Sequence, residues 1–286
     1  MMDSFRALYY HKPRSIEEAT STLARLGPRA CVVAGATDVI AERRDVEHLV
    51  DITALPLDYI REERDGLKIG ALTTVESLRR SELLGGSYSV LVEVANHFGH
   101  RNLRNLATVG GNLCSSVPSA DLAPPLIVMG ASVRLAAPDG ERVVPLGEFF
   151  VSVRENILRV GEILVEVQVP RLPLNTGEAF MKIGRTSVDV ALVNVAALIT
   201  LGDSGECSRV RIVMGSVAPT PFRAKEAEGL LRGRVVGDSL VKEAAEVASR
   251  EIKPISDQRA TADYRREAGR ILLERCLREA LRRAEV

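Results

Sequence analysis

Several things are scarce in this chain of 286 residues, and each scarcity removes a class of function. There is no surplus of charge, since 38 Lys and Arg balance 38 Asp and Glu. Surfaces built for nucleic acid or anionic lipid normally leave a basic excess, so small molecules and protein partners become the default ligands. Cysteine is sparse: Cys31, Cys114, Cys207 and Cys276 lie 83, 93 and 69 residues apart. No C-x-x-C pair or cluster for zinc or iron–sulfur results, and all four read as reduced thiols without a metal role. Long apolar runs are missing too. Leu122–Met129 is too short, and Val188–Leu201 too interrupted by Asp and Asn, for a bilayer core of about 30 Å. Met1–Arg6 has neither the apolar core nor the small-residue cleavage site of a secretory signal, so a cytoplasmic location is expected. Lysine is rare, 6 against 32 Arg, and this carries no functional message.

Familiar catalytic and nucleotide signatures are equally absent. No G-x-G-x-x-G or G-x-x-x-x-G-K-S/T occurs, which disfavours a Rossmann dinucleotide site and a P-loop. No G-x-S-x-G elbow or H-E-x-x-H helix occurs either. His97 and His100 stand three apart and could share a helix face, but no third ligand is near, so no metal site is assigned. The arginine-rich last helix nearly matches its bases with acids, and reads as a solvated face or a subunit contact.

What is present has the helix and strand periodicities of a compact protein, long enough for two domains or one large one. Ser15 followed by Glu18, with Ile16, Ala19, Leu23 and Leu26 in phase, predicts a capped helix ending at Gly27-Pro28. Strands are predicted at Ala30–Ala34, Leu67–Gly70, Ser132–Ala136, Arg142–Pro145 and Ile163–Val169, the last as a clean alternation of Ile163, Val165, Val167 and Val169. Short elements are expected from Ile40 and at Leu49–Ile52, and helices from Thr74 and over Tyr88–His97. Gly99–Asn105 reads as an irregular polar stretch. Two prolines, Asn and Gly make Pro170–Gly177 the domain linker. Beyond it, strands are predicted near Ala179–Ile183, Ala191–Leu201 and Val210–Val217, and helices from Arg223, Asp238 and Asp257. The final helix would place Tyr264, Ala268, Ile271, Leu272 and Leu281 on one stripe.

The chemistry concentrates in two glycine-centred segments, Ala34-Gly35-Ala36-Thr37-Asp38 after a buried strand and Thr108-Val109-Gly110-Gly111-Asn112. Successive N–H groups in such turns can converge on an anion, and glycine permits positive φ and a phosphate's close approach. Either segment alone reads equally as an ordinary structural turn. The second is followed by Pro118–Pro124, a polar stretch whose Asp121 could accept from ligand hydroxyls.

These residues resemble the FAD-binding medium subunits of molybdenum hydroxylases, such as aerobic carbon monoxide dehydrogenase, and the flavin domain of xanthine dehydrogenase. The likeness begins at Phe5 with Tyr9 and Pro13 and runs through Val33–Asp38. It is strongest over Leu103–Leu113 and Pro118–Pro124, and resumes at Gly161–Leu164, Lys182 with Arg185, Asp189–Asn194, Asp257–Arg259 and Tyr264-Arg265. It implies an α+β protein with a two-lobed FAD-binding fold of the vanillyl-alcohol-oxidase (PCMH) type. A C-terminal α+β domain with an antiparallel sheet follows. The implied divisions are 1–173 for the FAD-binding domain, with lobes of about 1–57 and 58–173, and 177–286 for the C-terminal domain.

The resemblance also implies the site. FAD would contact Val33, Ala34, Gly35, Ala36, Thr37 and Asp38 on the first segment, and Thr108, Gly110, Gly111, Asn112 and Cys114 on the second. Ala120, Asp121 and Leu164 would contribute further contacts, Lys182 a positive charge near the flavin, Val190 and Phe98 packing against its ring. Taken from the residues alone, Asp121 is a helix N-cap, Lys182 a solvated strand end, and Val190 and Phe98 plain core. Ala36 departs from the family's usual glycine, at a cost on the order of 1 kcal/mol if φ is positive. The implied function is electron transfer with no catalytic residue and no metal of its own. FAD would pass electrons from the 2Fe–2S clusters of an iron–sulfur small subunit, beside a molybdenum-cofactor large subunit, to an external acceptor, in a dimer of heterotrimers. Two other readings stay open: a stand-alone flavin reductase like enolpyruvyl-glucosamine reductase, and a non-catalytic flavin-binding scaffold.

Overall fold

The structure is a computed structural model that describes residues 7–42 and 46–285. The expectations resting on Phe5 and on Met1–Arg6 lie outside the described residues. Three sheets of a mixed α+β architecture carry the fold, beside a two-stranded hairpin.

The first lobe consists of β1 (Tyr9–His11), α1 (Ile16–Leu26), β2 (Ala30–Val33), α2 (Thr37–Glu42) and β3 (His48–Asp51). Its strands are parallel in the order β1-β3-β2. Helix α1 begins where Ser15 Oγ accepts from the Glu18 N–H at 3.1 Å, and ends at Gly27, whose φ of 61° Pro28 then prevents from continuing. It buries Ala19, Leu23 and Leu26 against Val50 and Ile52 of its own lobe and Ile163 and Val165 of the next. Each such leucine contributes about 1.5–3 kcal/mol relative to exposure, so this stripe fixes one lobe against the other.

The second lobe runs through β4 (Ile60–Glu63), β5 (Gly66–Gly70), α3 (Val75–Arg80), α4 (Ser89–Asn96), α5 (Arg101–Leu106), α6 (Val109–Cys114), α7 (Ala123–Met129), β6 (Ser132–Ala137), β7 (Gly140–Pro145), the hairpin strands β8 (Phe150–Ser152) and β9 (Glu155–Asn156), and β10 (Ile163–Pro170). Its main sheet is antiparallel, ordered β4-β5-β10-β6-β7. The clean alternation expected along β10 is broken. A register shift against β6 between Leu164 and Glu166 turns the strand by one residue, so Ile163 and Val165 join the core toward the first lobe, while Leu164, Val167 and Val169 join the core under α3–α7. Gly99–Asn105 is not irregular throughout, because Arg101–Leu106 forms α5.

The C-terminal part is an antiparallel sheet β11 (Thr176–Ile183), β12 (Val193–Leu201), β13 (Cys207–Gly215) and β14 (Phe222–Arg223), with α8 (Lys225–Leu231), α9 (Asp238–Glu251) and α10 (Ala262–Ala284). Strand period explains its nearly unbroken apolar sequence. Val193, Val195, Ala197 and Ile199 of β12 face the helices, while Ala196 and Leu198, with Phe180 and Val213, pack against the second lobe. The sheet therefore has two buried faces. The helix expected from Asp257 starts instead at Ala262, because Asp257 Oδ1 accepts from the N–H groups of Arg259 and Ala260 and holds a turn before Thr261 caps α10. The buried stripe of α10 is also rotated from expectation: it runs Arg265, Gly269, Leu272, Leu273, Cys276, Leu277 and Ala280, leaving Tyr264 and Ile271 outside. Gly269 sits where a Cβ would lie 2.9 Å from Met214 Cε, and the Cys276 thiol donates to the Ala179 carbonyl. Among the described residues, no helix is long and apolar enough to cross a membrane.

Candidate functional site

Between the first two lobes lies a cleft of about 400 Å³. One wall is the segment joining β2 to α2. The Ile52 N–H donates to the Val33 carbonyl at 2.9 Å and fixes where the strand ends. Gly35 is dictated by proximity, since a Cβ there would lie 1.8 Å from the Leu106 carbonyl oxygen. Ala36 then takes φ 57°, a left-handed conformation that glycine would hold without strain. Among the described residues, the N–H groups of Gly35, Ala36 and Thr37 have no protein acceptor. Buried or half-buried donors of this kind require a partner, and a row of them suits an anion.

The facing wall is α6, where the second glycine pair acts differently from expectation. It is the first turn of a helix, not a positive-φ turn. Its N–H groups are already used: Val109 donates to Thr73 O and Gly110 to Ala71 O, both at 2.9 Å, Gly111 to Thr108 Oγ1 at 3.1 Å, and Asn112 to Thr108 O at 2.9 Å. These glycines serve through what they lack. A Cβ on Gly110 would meet Ala71 at 2.8 Å, so glycine lets α6 seat on β5's exit; one on Gly111 would meet only Thr108 Oγ1 within 4 Å, so its face is open.

Ten of the expected residues line the cleft together: Ala34, Gly35, Ala36, Thr37, Asp38, Thr108, Gly110, Gly111, Cys114 and Leu164. Burial pushes the Cys114 thiol up to about 12, which keeps it an inert wall. Val32, Leu158, Ile163 and Leu164 add an apolar side suited to a flat ring. Sequence reasoning missed Arg154 and Asn156, which the β8–β9 hairpin carries to the cleft, and Leu158 two residues beyond it. Their only signal was a polar turn between two short apolar pairs.

The other expected residues do not line this cleft. Val33 ends β2, and Asn112 Oδ1 accepts from the Leu122 N–H at 3.3 Å. Ala120 and Phe98 are buried, the latter in the core under α4. Val190 is 46% exposed, so the plain-core reading fails for it. Asp121 is no N-cap, because α7 starts after Leu122 without a side-chain cap. Nor is Lys182 solvated: its side chain is 6% exposed. Its ammonium donates to Asp121 Oδ2 at 2.6 Å and to the His97 carbonyl at 3.1 Å, while Asn194 Nδ2 donates to Asp121 Oδ1 at 2.9 Å. Lys182 and Asn194 are cross-strand partners on β11 and β12, so the C-terminal sheet grips one carboxylate of the second lobe with two adjacent side chains. Burial pushes the Asp121 carboxyl up, and Lys182 and Asn194 pull it back. His97 and His100 do not share a helix: His97 closes α4, and His100 caps α5 by accepting from the Leu103 N–H.

Residues 3–172 match a family described as the FAD-binding domain in molybdopterin dehydrogenase, and residues 178–280 match the CO dehydrogenase flavoprotein C-terminal domain. The chain is 34% identical over 275 residues, 94% of this chain and 93% of its relative, to the 6-hydroxypseudooxynicotine dehydrogenase complex subunit alpha of Paenarthrobacter nicotinovorans. It is 30% identical over 280 residues, 95% of each chain, to a xanthine dehydrogenase FAD-binding subunit of Escherichia coli. A solved carbon monoxide dehydrogenase from Hydrogenophaga pseudoflava superposes with a TM-score of 0.94 at 32% identity, covering 97% of this chain and 98% of that one.

Proposed function

The chain belongs to the FAD-binding medium subunits of the molybdenum hydroxylase family, and from that premise we propose that it holds FAD in the interlobe cleft and relays electrons between a partner's 2Fe–2S clusters and an external acceptor. When bound, FAD supplies a centre that exchanges electrons singly or in pairs. The chain's own residues bind and orient it. The open N–H groups of Gly35, Ala36 and Thr37 take the diphosphate. The bare face of Gly111 admits it closely, and the Leu158, Ile163 and Leu164 side receives a ring. Lys182, held by Asp121, with Phe98 and Val190, is assigned to the flavin end. The division into 1–173, with lobes 1–57 and 58–173, and 177–286 is part of the same reading.

What carries the proposal is the convergence on one cleft of ten residues from segments more than 100 positions apart in sequence, from Ala34 to Leu164. Relatives described as complex subunits or FAD-binding subunits, matched over nearly their whole length, favour a subunit over a stand-alone reductase. The partners in this reading are an iron–sulfur small subunit and a molybdenum-cofactor large subunit, assembled as a dimer of heterotrimers. Affinity purification from the native host, followed by mass spectrometry, metal analysis and flavin chromatography, is the test. Co-purifying iron and molybdenum proteins and heat-released FAD are expected. A lone chain active as a reductase with NAD(P)H and a small substrate would favour the alternative, and one that cannot take up FAD would overturn both.

A further inference from the structure

Arg265, in the first turn of α10, is 4% exposed and stands apart from the cleft wall. Its Nη2 donates to Asp257 Oδ1 at 2.9 Å, and its Nη1 to two main-chain carbonyls, those of Leu192 at 2.6 Å and Ser216 at 3.4 Å. Its Nε is buried and, among the described residues, has no hydrogen-bond partner. A buried guanidinium with an orphaned donor costs stability relative to an apolar side chain of similar size. Ser216 adds to the cost, because it carries a Cβ at φ 61°.

These costs fall where two segments meet. The connection between β11 and β12 passes from Val190, 46% exposed, straight into the buried Ala191 and Leu192. There three successive backbone groups are pinned: Ala191 O accepts from Ser216 Oγ at 3.0 Å, the Leu192 N–H donates to Ile183 O at 2.8 Å, and Leu192 O takes Arg265. The Ser216 N–H reaches the other way, to Pro118 O at 2.8 Å, on the segment that ends in Asp121. Gly215 beside it completes the joint. A Cβ there would lie 2.1 Å from Asn194 Oδ1 and 3.1 Å from Pro118 O, so glycine lets Asn194 turn its Nδ2 to Asp121. One left-handed residue, backed by one buried arginine, thus sets the main chain beside Val190 against the main chain leading to Asp121.

We infer that Ser216 and Arg265 are positioning residues for the flavin end of the cofactor, acting through the main chain of Pro118, Ala191 and Leu192 on Val190 and on the Asp121–Lys182 pair. The inference rests on the FAD reading of the cleft and adds to it two residues that do not line it. Its test uses the full chain stripped of nucleotide, titrated with FAD and with ADP, for the wild type, Ser216→Ala, Arg265→Met and Arg265→Lys. Visible circular dichroism of the FAD-loaded forms reads the surroundings of the ring. ADP has no ring, so it reads the phosphate wall alone. Ser216→Ala should weaken FAD about three- to tenfold, the worth of about one net hydrogen bond, and leave ADP unchanged. The flavin dichroism should change with it. Arg265→Met should act in the same direction and at least as far, and Arg265→Lys, which keeps a donor for the carbonyls, should fall between it and the wild type. Equal losses for FAD and ADP would assign both residues to general stability and overturn the inference. If Arg265→Met does not fold, Ser216→Ala decides: wild-type FAD affinity and dichroism in that variant overturn the inference alone. A wild-type chain that takes up no FAD overturns the cleft reading, and the inference with it.

Discussion

Ala36 costs about 1–2 kcal/mol by standing in the left-handed region, and it does so on the cleft wall where the open N–H groups must point outward. Glu178 on β11 is a second costly residue, away from the cleft. It is 3% exposed, and its Oε1 has no hydrogen-bond partner. The nearby Arg283 donates to the Glu178 carbonyl at 2.7 Å and to Glu93 at 3.1 Å, so the guanidinium is engaged elsewhere. Burial accordingly pushes the Glu178 carboxyl up to about 7. Between the ordinary glutamate value and that point, the folded chain keeps a proton that the unfolded chain has released, so stability falls as pH rises through this window. Glu178→Gln should therefore change little at about pH 5 and add about 1–3 kcal/mol at about pH 8. Denaturant titration at both pH values checks it; an equal effect at the two would mean that the carboxyl is already ionised at the lower one.

Among the elements, α6 separates two uses of glycine that look alike in sequence. A Cβ on Gly110 would meet Ala71 at 2.8 Å, and one on Gly111 would meet only the Thr108 hydroxyl, at 2.8 Å. Gly110→Ala should lower stability by about 1–3 kcal/mol through overpacking against β5's exit, with FAD affinity changed only as far as α6 shifts. Gly111→Val should instead crowd the cleft and its Thr108 cap, and cost more in FAD affinity, about 2–3 kcal/mol, than in stability. Calorimetric FAD titration beside thermal melts distinguishes them, and identical profiles would remove the distinction. The elements most legible in sequence were those with both a cap and a stripe, such as α1 from Ser15 and α3 from Thr74. Helix α5 was missed because Arg101–Leu106 offers only two apolar residues and starts from His100, a cap outside the usual Ser, Thr, Asp and Asn. The face of β10 was misjudged because a bulge leaves no mark in composition. The first glycine segment stood out in the sequence, and the structure places it on the wall of a cleft. The hairpin bearing Arg154 was not, since its position depends on hydrogen bonds to Cys114 and Ser116 about forty residues earlier.

For the molecule as a whole, the question is what fixes the C-terminal sheet to the lobes that form the cleft. Apolar contact supplies most of it, through Phe180, Ala196, Leu198 and Val213 in the core of the second lobe. That contact is non-directional and would tolerate sliding. The Asp121–Lys182–Asn194 cluster adds direction, because one buried carboxylate must meet two donors that β-pairing holds side by side. Such a pair contributes little net stability over an apolar substitute, but breaking one half leaves a stranded charge. Lys182→Met should then lower stability by about 3–5 kcal/mol at about pH 8, because Asp121 must there either bury a charge without its cation or hold a proton that the unfolded chain has released. At about pH 5 the loss should shrink, since burial already favours the protonated carboxyl and removing Lys182 strengthens that bias. The double variant Asp121→Asn with Lys182→Met should recover much of the loss at the higher pH, because the amide oxygen that replaces the carboxylate can still accept from Asn194 and no charge is buried. Denaturation of the wild type, both single variants and the double at the two pH values gives the coupling directly. If Lys182→Met lost the same amount at both, with no recovery in the double, the cluster would be replaceable packing, and the sheet's position would rest on the apolar face alone.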